Sequence, residues 1–192
     1  MARKFTKIPA DTFKQLQMNA GLILDDFDPA GEEDVQDTAI LGATSGGLNF
    51  TAVPTFTDRG EDIDNCPKNM AELKELDAWE VKASGTFVSM TAKLAQKMAA
   101  AADLQTNKIA PRNTITITDF SDIWLVGDYG EGGMIAIHIL NALSTGGFAI
   151  QTGDKVKGQF PFEFTGHYKM SAQDTPPFEI YVDAGAAAAS QT

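Results

Sequence analysis

Apolar and polar residues alternate along most of this chain, and the alternation predicts strands. In GLNFTAVPTF, Leu48, Phe50, Ala52 and Phe56 fall on one side, with Asn49, Thr51 and Thr55 on the other. Pro54 cannot donate to a ladder, so it marks the far end of this strand as an edge or an exit. In WEVKASGTFVSM, Trp79, Val81, Ala83 and Phe87 alternate with Glu80, Lys82, Ser84 and Thr86. In GQFPFEFTGHYKM, Phe160, Phe162, Phe164 and Tyr168 oppose Gln159, Glu163, Thr165 and His167. GLILDDF, TITI, DIWLVGDY and PFEIYVDAG read as further strands. MIAIHILNAL is apolar on both sides, which predicts a central strand covered twice.

The helical period is rarer. TAKLAQKMAAAADLQ puts Leu94, Ala95, Met98 and Ala101 on one stripe behind Thr91 as N-cap, predicting one long helix. ADTFKQLQMNAG predicts a short N-terminal helix with Asp11 as N-cap and Gly21 as its stop. Many short strands with one main helix predict a mainly β domain, a sandwich or barrel flanked by that helix. With no internal repeat and no linker, residues 1–192 read as one domain with a loose tail from 184.

Composition narrows the functions. A formal charge of −11 opposes nonspecific binding to nucleic acid or to an anionic membrane surface. Cys66 is the one cysteine, so no intrachain disulfide forms. The N-terminus is basic but lacks an apolar core, and no apolar run reaches membrane-span length. Synthesis and folding in a cytoplasm, with no membrane partner, are the expectation.

The chain's catalytic and ligand motifs are partial matches. ATSGG at 43–47 imitates a nucleophile elbow, but a strand follows it where that motif needs a helix. GDYGEGGM at 127–134 is glycine-rich but acidic, without lysine, and reads as a hairpin turn. DFDPAGEEDVQD at 26–37 partly matches a calcium loop, yet it has Ala30 at position 5 and the short Asp37 at position 12. Two histidines and one cysteine lack zinc spacing. The expectation is a non-enzyme without metal or cofactor; an acidic calcium-binding module is one alternative.

Charge layout is more informative. No basic residue lies between Lys14 and Arg59, a span that holds Asp25, Asp26, Asp28, Glu32, Glu33, Asp34, Asp37 and Asp58. The stretch 55–78 is a long excursion between strands, and such loops are functional or self-structured. It predicts a short helix in NMAELKELD, capped by Asn69, and it interleaves acids with Arg59, Lys68 and Lys74. Lacking converging catalytic groups, it reads as an arm that docks on another subunit. Heterologous contacts of that kind close into rings or run on as filaments.

The stretches LGATSGGLNFTAVPTFTDRGEDIDNCPKNMAELKELDAWEVKASGTFV, NALSTGGFAIQTGDKVKGQFPFEFTGHYKM and DTPPFEIYV resemble the major tail (tail tube) proteins of siphophages, in particular those of Gram-positive hosts. The resemblance covers most of the chain. It implies a virion protein, assembled in the host cytoplasm into hexameric rings that stack helically into a hollow tube. That tube would form around a tape-measure protein, bear tail terminator and distal tail proteins at its ends, and pass double-stranded DNA without specific binding. A tube subunit of a phage-tail-like bacteriocin or secretion system is the neighbouring alternative. Matched onto this chain, Asn49, Thr51, Glu80, Ser84, Thr86, Gln159, Glu163 and Thr165 are expected to face the lumen. Lys82 and Lys169 are expected near Glu80 or Glu163, or away from it. Arg59, Asp62, Lys68 and Lys74 on the 55–78 arm are expected to contact the next ring.

Overall fold

A computed structural model describes residues 7–9, 12, 20–31, 34–130 and 132–183. The N-terminal helix expected from Asp11, and the tail from 184, lie outside the described residues. The rest is mostly β, with one short α-helix. In chain order the elements are β1 (Leu22–Leu24), β2 (Thr44–Asp58), β3 (Lys74–Phe87), α1 (Ala92–Met98), β4 (Ala102–Gln105), β5 (Lys108–Pro111), β6 (Ser121–Tyr129), β7 (Gly133–Ser144), β8 (Phe160–Gly166) and β9 (Phe178–Asp183).

The order β1-β6-β7-β8-β3-β2 is antiparallel throughout, with β9 on the other side of β7. β7 belongs to two sheets. Its first half pairs with β6 and β9, and its end, at Leu143 and Ser144, pairs with β8. The change of sheet happens at a bulge, where Leu140 and Asn141 together oppose Asp122. Asn141 sits at φ 48°. Its N–H donates to Asp122 Oδ1 at 2.8 Å, and its Nδ2 to the His167 carbonyl at 3.0 Å. Those bonds hold a left-handed conformation that asparagine tolerates better than most residues. At Gly166, a Cβ would lie 2.9 Å from Ile139 Cγ2 and 3.1 Å from the Pro177 carbonyl, so only glycine lets β8 pass this crossing.

The apolar sides of the two sheets meet as a sandwich. Val81, Ala83, Phe87, Phe162 and Phe164 from one sheet pack with Ile23, Ile123, Leu125 and Ile139 from the other. Phe87 and Phe162 stack at 4.3 Å, and Phe178 of β9 meets Trp79 at 5.3 Å. The far side of the β6-β7 sheet is covered as well. Phe27, Val35 and Ile40 pack on Leu24, Trp124 and Ala136, so β7 is covered on both sides as its apolar pattern demands.

Three expectations need correction. The long helix is seven residues, Ala92–Met98. Thr91 caps it by accepting from the Leu94 N–H at 3.1 Å, and Leu94 and Met98 bury completely in the core. Ala100, at φ 61°, ends it, and the alanine-rich remainder turns into the β4–β5 hairpin. Packing overrides propensity here, because Ala101 and Ala102 are buried at the bend. TITI is not a strand. The Thr116 side chain and Asp119 form a capping box around a single 3₁₀ turn, Ile117–Asp119, which leaves Ile115 and Ile117 exposed. The helix in the arm is likewise reduced to one 3₁₀ turn, Ala71–Leu73. Asn69 lies at φ 61°, outside the extended geometry of an N-cap, and residues from Lys74 onward pair with β2.

Candidate assembly surfaces

The outward side of β2, β3 and β8 gathers most of the residues expected to face a lumen. Asn49 opposes Ser84, which opposes Glu163. Thr51 opposes Lys82, which opposes Thr165; Val53 opposes Glu80, and Thr86 opposes Pro161. Residues directly opposite share a side of the sheet, so these form a single surface. Thr145 extends it, donating to Glu163 Oε1 at 2.9 Å and lying 2.8 Å from Thr165 Oγ1. Gln159 falls just outside β8, in an isolated bridge with Gln151 that continues the same period. Lys82 pairs with Glu80 at 2.6 Å, and this hydrogen bond pushes its pKa up. Two carboxylates against one paired ammonium leave the surface weakly negative, and hydroxyls, amides, Val53 and Pro161 fill the rest. Lys169 lies elsewhere, in a bridge with Ala172 beyond the end of β8.

The arm is an extension of the β2–β3 hairpin. Pairing continues through Thr55↔Ala78, Phe56↔Leu76, Thr57↔Glu75 and Asp58↔Lys74, with a bulge at Asp77. The tip organises itself. Asp58 accepts from the Gly60 N–H at 3.0 Å and the Asn69 N–H at 2.9 Å. These two bonds, Asn69's first, hold its carboxyl below the usual range. Gly60 is buried against Leu73 and Cys66, where a Cβ would come within 2.8 Å and 2.9 Å of their side chains. Cys66 Sγ lies 3.5 Å from Met70 Sδ, as part of this small interior.

Of the four residues expected to contact a next ring, Arg59, Asp62 and Lys68 are on this tip and Lys74 is at its base. Arg59, however, pairs with Glu75, and Lys74 donates to Asn69 Oδ1 at 2.7 Å, so both serve the arm's own structure. Asp62 and Lys68 are exposed, and neither makes an ion pair or hydrogen bond with another described residue. Sequence reasoning missed a second exposed segment, the 145–159 loop between β7 and β8. It carries Lys155 and Lys157 beside exposed Phe148, Ile150 and Val156. The signal was there: apolar residues scattered among glycines, with two lysines in an acidic chain.

The other motifs singled out in the sequence have the following settings. The 43–47 stretch starts β2, with Gly46 and Gly47 at φ 85° and 83°. In the 127–134 stretch, Asp128 pairs with Met134 and Tyr129 with Gly133, at the end where β6 connects to β7. In the 26–37 loop, Asp28 Oδ1 accepts from the Ala30 N–H at 2.9 Å, and the neighbouring Asp25 pairs with Lys93. Among the described residues no group of three or more His, Cys, Asp or Glu is placed to hold a metal. His138 stacks on Trp124 at 3.9 Å, with Asp122 and Glu179 at 3.3 Å and 3.5 Å. A hydrogen bond from Tyr181 at 2.6 Å, then His138, holds Glu179 below the usual range.

No protein-family profile matches the chain, and no curated protein matches it. Among solved structures, it is similar to a chain from the tail of an empty GTA particle obtained by helical refinement with C6 symmetry. The two are 10% identical, at a TM-score of 0.40, over 78% of this chain and 92% of the other.

Proposed function

We propose that this chain is the structural subunit of a bacteriophage tail tube: hexameric rings, stacked helically, form a hollow conduit for viral DNA from capsid to host. The reading is non-enzymatic and needs no cofactor. It places the protein in the virion tail, around a tape-measure protein during assembly, with terminator and distal tail proteins at the ends.

The observation that carries it is the edge of β2. This strand is 15 residues long, and among the described residues it pairs with β3 alone. An open edge of about 50 Å invites pairing with another chain. Closing a ring edge to edge satisfies it without runaway aggregation. Six copies of the sheet formed by β2, β3, β8 and the end of β7, four strands each at ordinary spacing and tilt, close at a backbone radius of roughly 24 Å, leaving a bore of about 37 Å. That passes a DNA duplex. The side facing the bore would be the outward surface of Asn49, Thr51, Glu80, Ser84, Thr86, Glu163 and Thr165. DNA carries a phosphate charge about every 1.7 Å of axis, so a basic wall would grip it and a weakly negative one lets it slide. The sequence resemblance to siphophage tail-tube proteins supports the same reading.

The test is thiol protection. In a Cys66→Ser background, Thr51→Cys and Thr86→Cys should react with a bulky PEG-maleimide in free protomers and become protected in assembled tubes. Lys108→Cys, on the β4–β5 hairpin, serves as the outside reference. Equal labelling of Thr51→Cys and Thr86→Cys before and after assembly would remove the lumen assignment.

A further inference from the structure

We propose that the 59–72 arm tip of one copy docks on the 145–159 loop of a copy in the next ring; this rests on the tube reading above and names the receiving surface it lacks. Topology sets the two segments at opposite ends of one sheet. The arm leaves from Asp58 and Lys74, while the loop enters β8 at Phe160, beside Phe87 at the other end of β3. The Gln151–Gln159 bridge continues β8 backward past that end, carrying the 152–158 turn outward. A contact between opposite ends of identical chains is heterologous, and a heterologous contact propagates as a stack.

The charges are complementary. On the tip, Glu61, Asp62, Asp64 and Glu72 outnumber Arg59 and Lys68, and Arg59 is engaged by Glu75 within its own arm. None of the four carboxylates makes an ion pair or hydrogen bond with a described residue. In the loop, Lys155 and Lys157 outnumber Asp154, and both lysines are exposed and lack a partner among the described residues. In a chain of charge −11, this is a local positive end facing a negative one. Both surfaces also expose apolar side chains: Ile63 on the tip, and Phe148, Ile150 and Val156 on the loop, each more or less half uncovered. An apolar centre with a charged rim is the usual anatomy of a specific interface.

A charge swap tests this. Lys155→Glu/Lys157→Glu and Asp62→Lys/Asp64→Lys are made separately and together, and assembly is followed by sedimentation and electron microscopy, with circular dichroism reporting the fold. Each double variant should still form single rings but require roughly tenfold more protein to form tubes, and the combined variant should return near the wild-type value. Lys155→Gln/Lys157→Gln gives a milder loss and covers the case in which charge reversal disturbs the loop. Tubes forming equally well in the double variants, or a combined variant that stays defective, overturn this docking. Wild-type protein that forms neither rings nor tubes instead overturns the tube reading beneath it.

Discussion

Asp58 is the residue on which the arm tip turns, because one carboxylate receives the N–H groups of both Gly60 and Asn69. Its folded pKa lies below the ordinary carboxylate value. The stabilisation is therefore present above about pH 4 and is lost as pH falls through the lowered folded value. Amide protection at Gly60 and Asn69 should be high near neutrality and collapse in acid, while the sandwich core stays protected. Asp58→Asn, which keeps one acceptor and adds a donor, should show the loosened tip already at neutral pH. Protection unchanged in that variant would refute the role. At this scale the sequence was only partly legible. Arg59 and Lys74 were visible as charges on an arm, but their partners depend on the Asp58↔Lys74 register and the bulge at Asp77, which no local pattern announces. Asp62 and Lys68 remain available for an outside partner.

At the scale of elements, strand alternation was the readable signal. β2, β3 and β8 stand where period-two patterning put them, β6 and β9 fall in stretches read as strands, and β7 is covered on both sides as its apolar run required. Helical signals misled in two places, at the alanine run after Met98 and at NMAELKELD. In both, residues with good helix propensity are drawn into strand pairing by their neighbours. Ala100 records the conflict, since alanine at φ 61° carries a steric cost of about 1 kcal/mol or more. Ala100→Gly should thus raise unfolding stability by about 0.5–1 kcal/mol in urea denaturation, the gain in fit being partly offset by glycine's freer unfolded chain. A destabilised variant would mean that the methyl group packs productively there.

For the whole molecule, two properties were legible early: an acidic chain and strands whose outward sides are small and polar. The sandwich's connectivity was not. The shared strand β7 changes sheets at Asn141 through a bulge, and that depends on a long-range bond to His167. Nor did the sequence separate the two ends of the β2-β3-β8 sheet, one acidic and one basic, because 59–72 and 145–159 are far apart in the chain. The proposed repeating subunit rests on an open 15-residue edge, a weakly negative outward surface and oppositely charged ends of one sheet. The measurement that tests this most directly is electron microscopy of the purified protein over a concentration series. The account predicts sixfold rings that stack into hollow tubes of uniform width as concentration rises. Protomers that stay dispersed at every concentration, or fibres without a lumen, would contradict it.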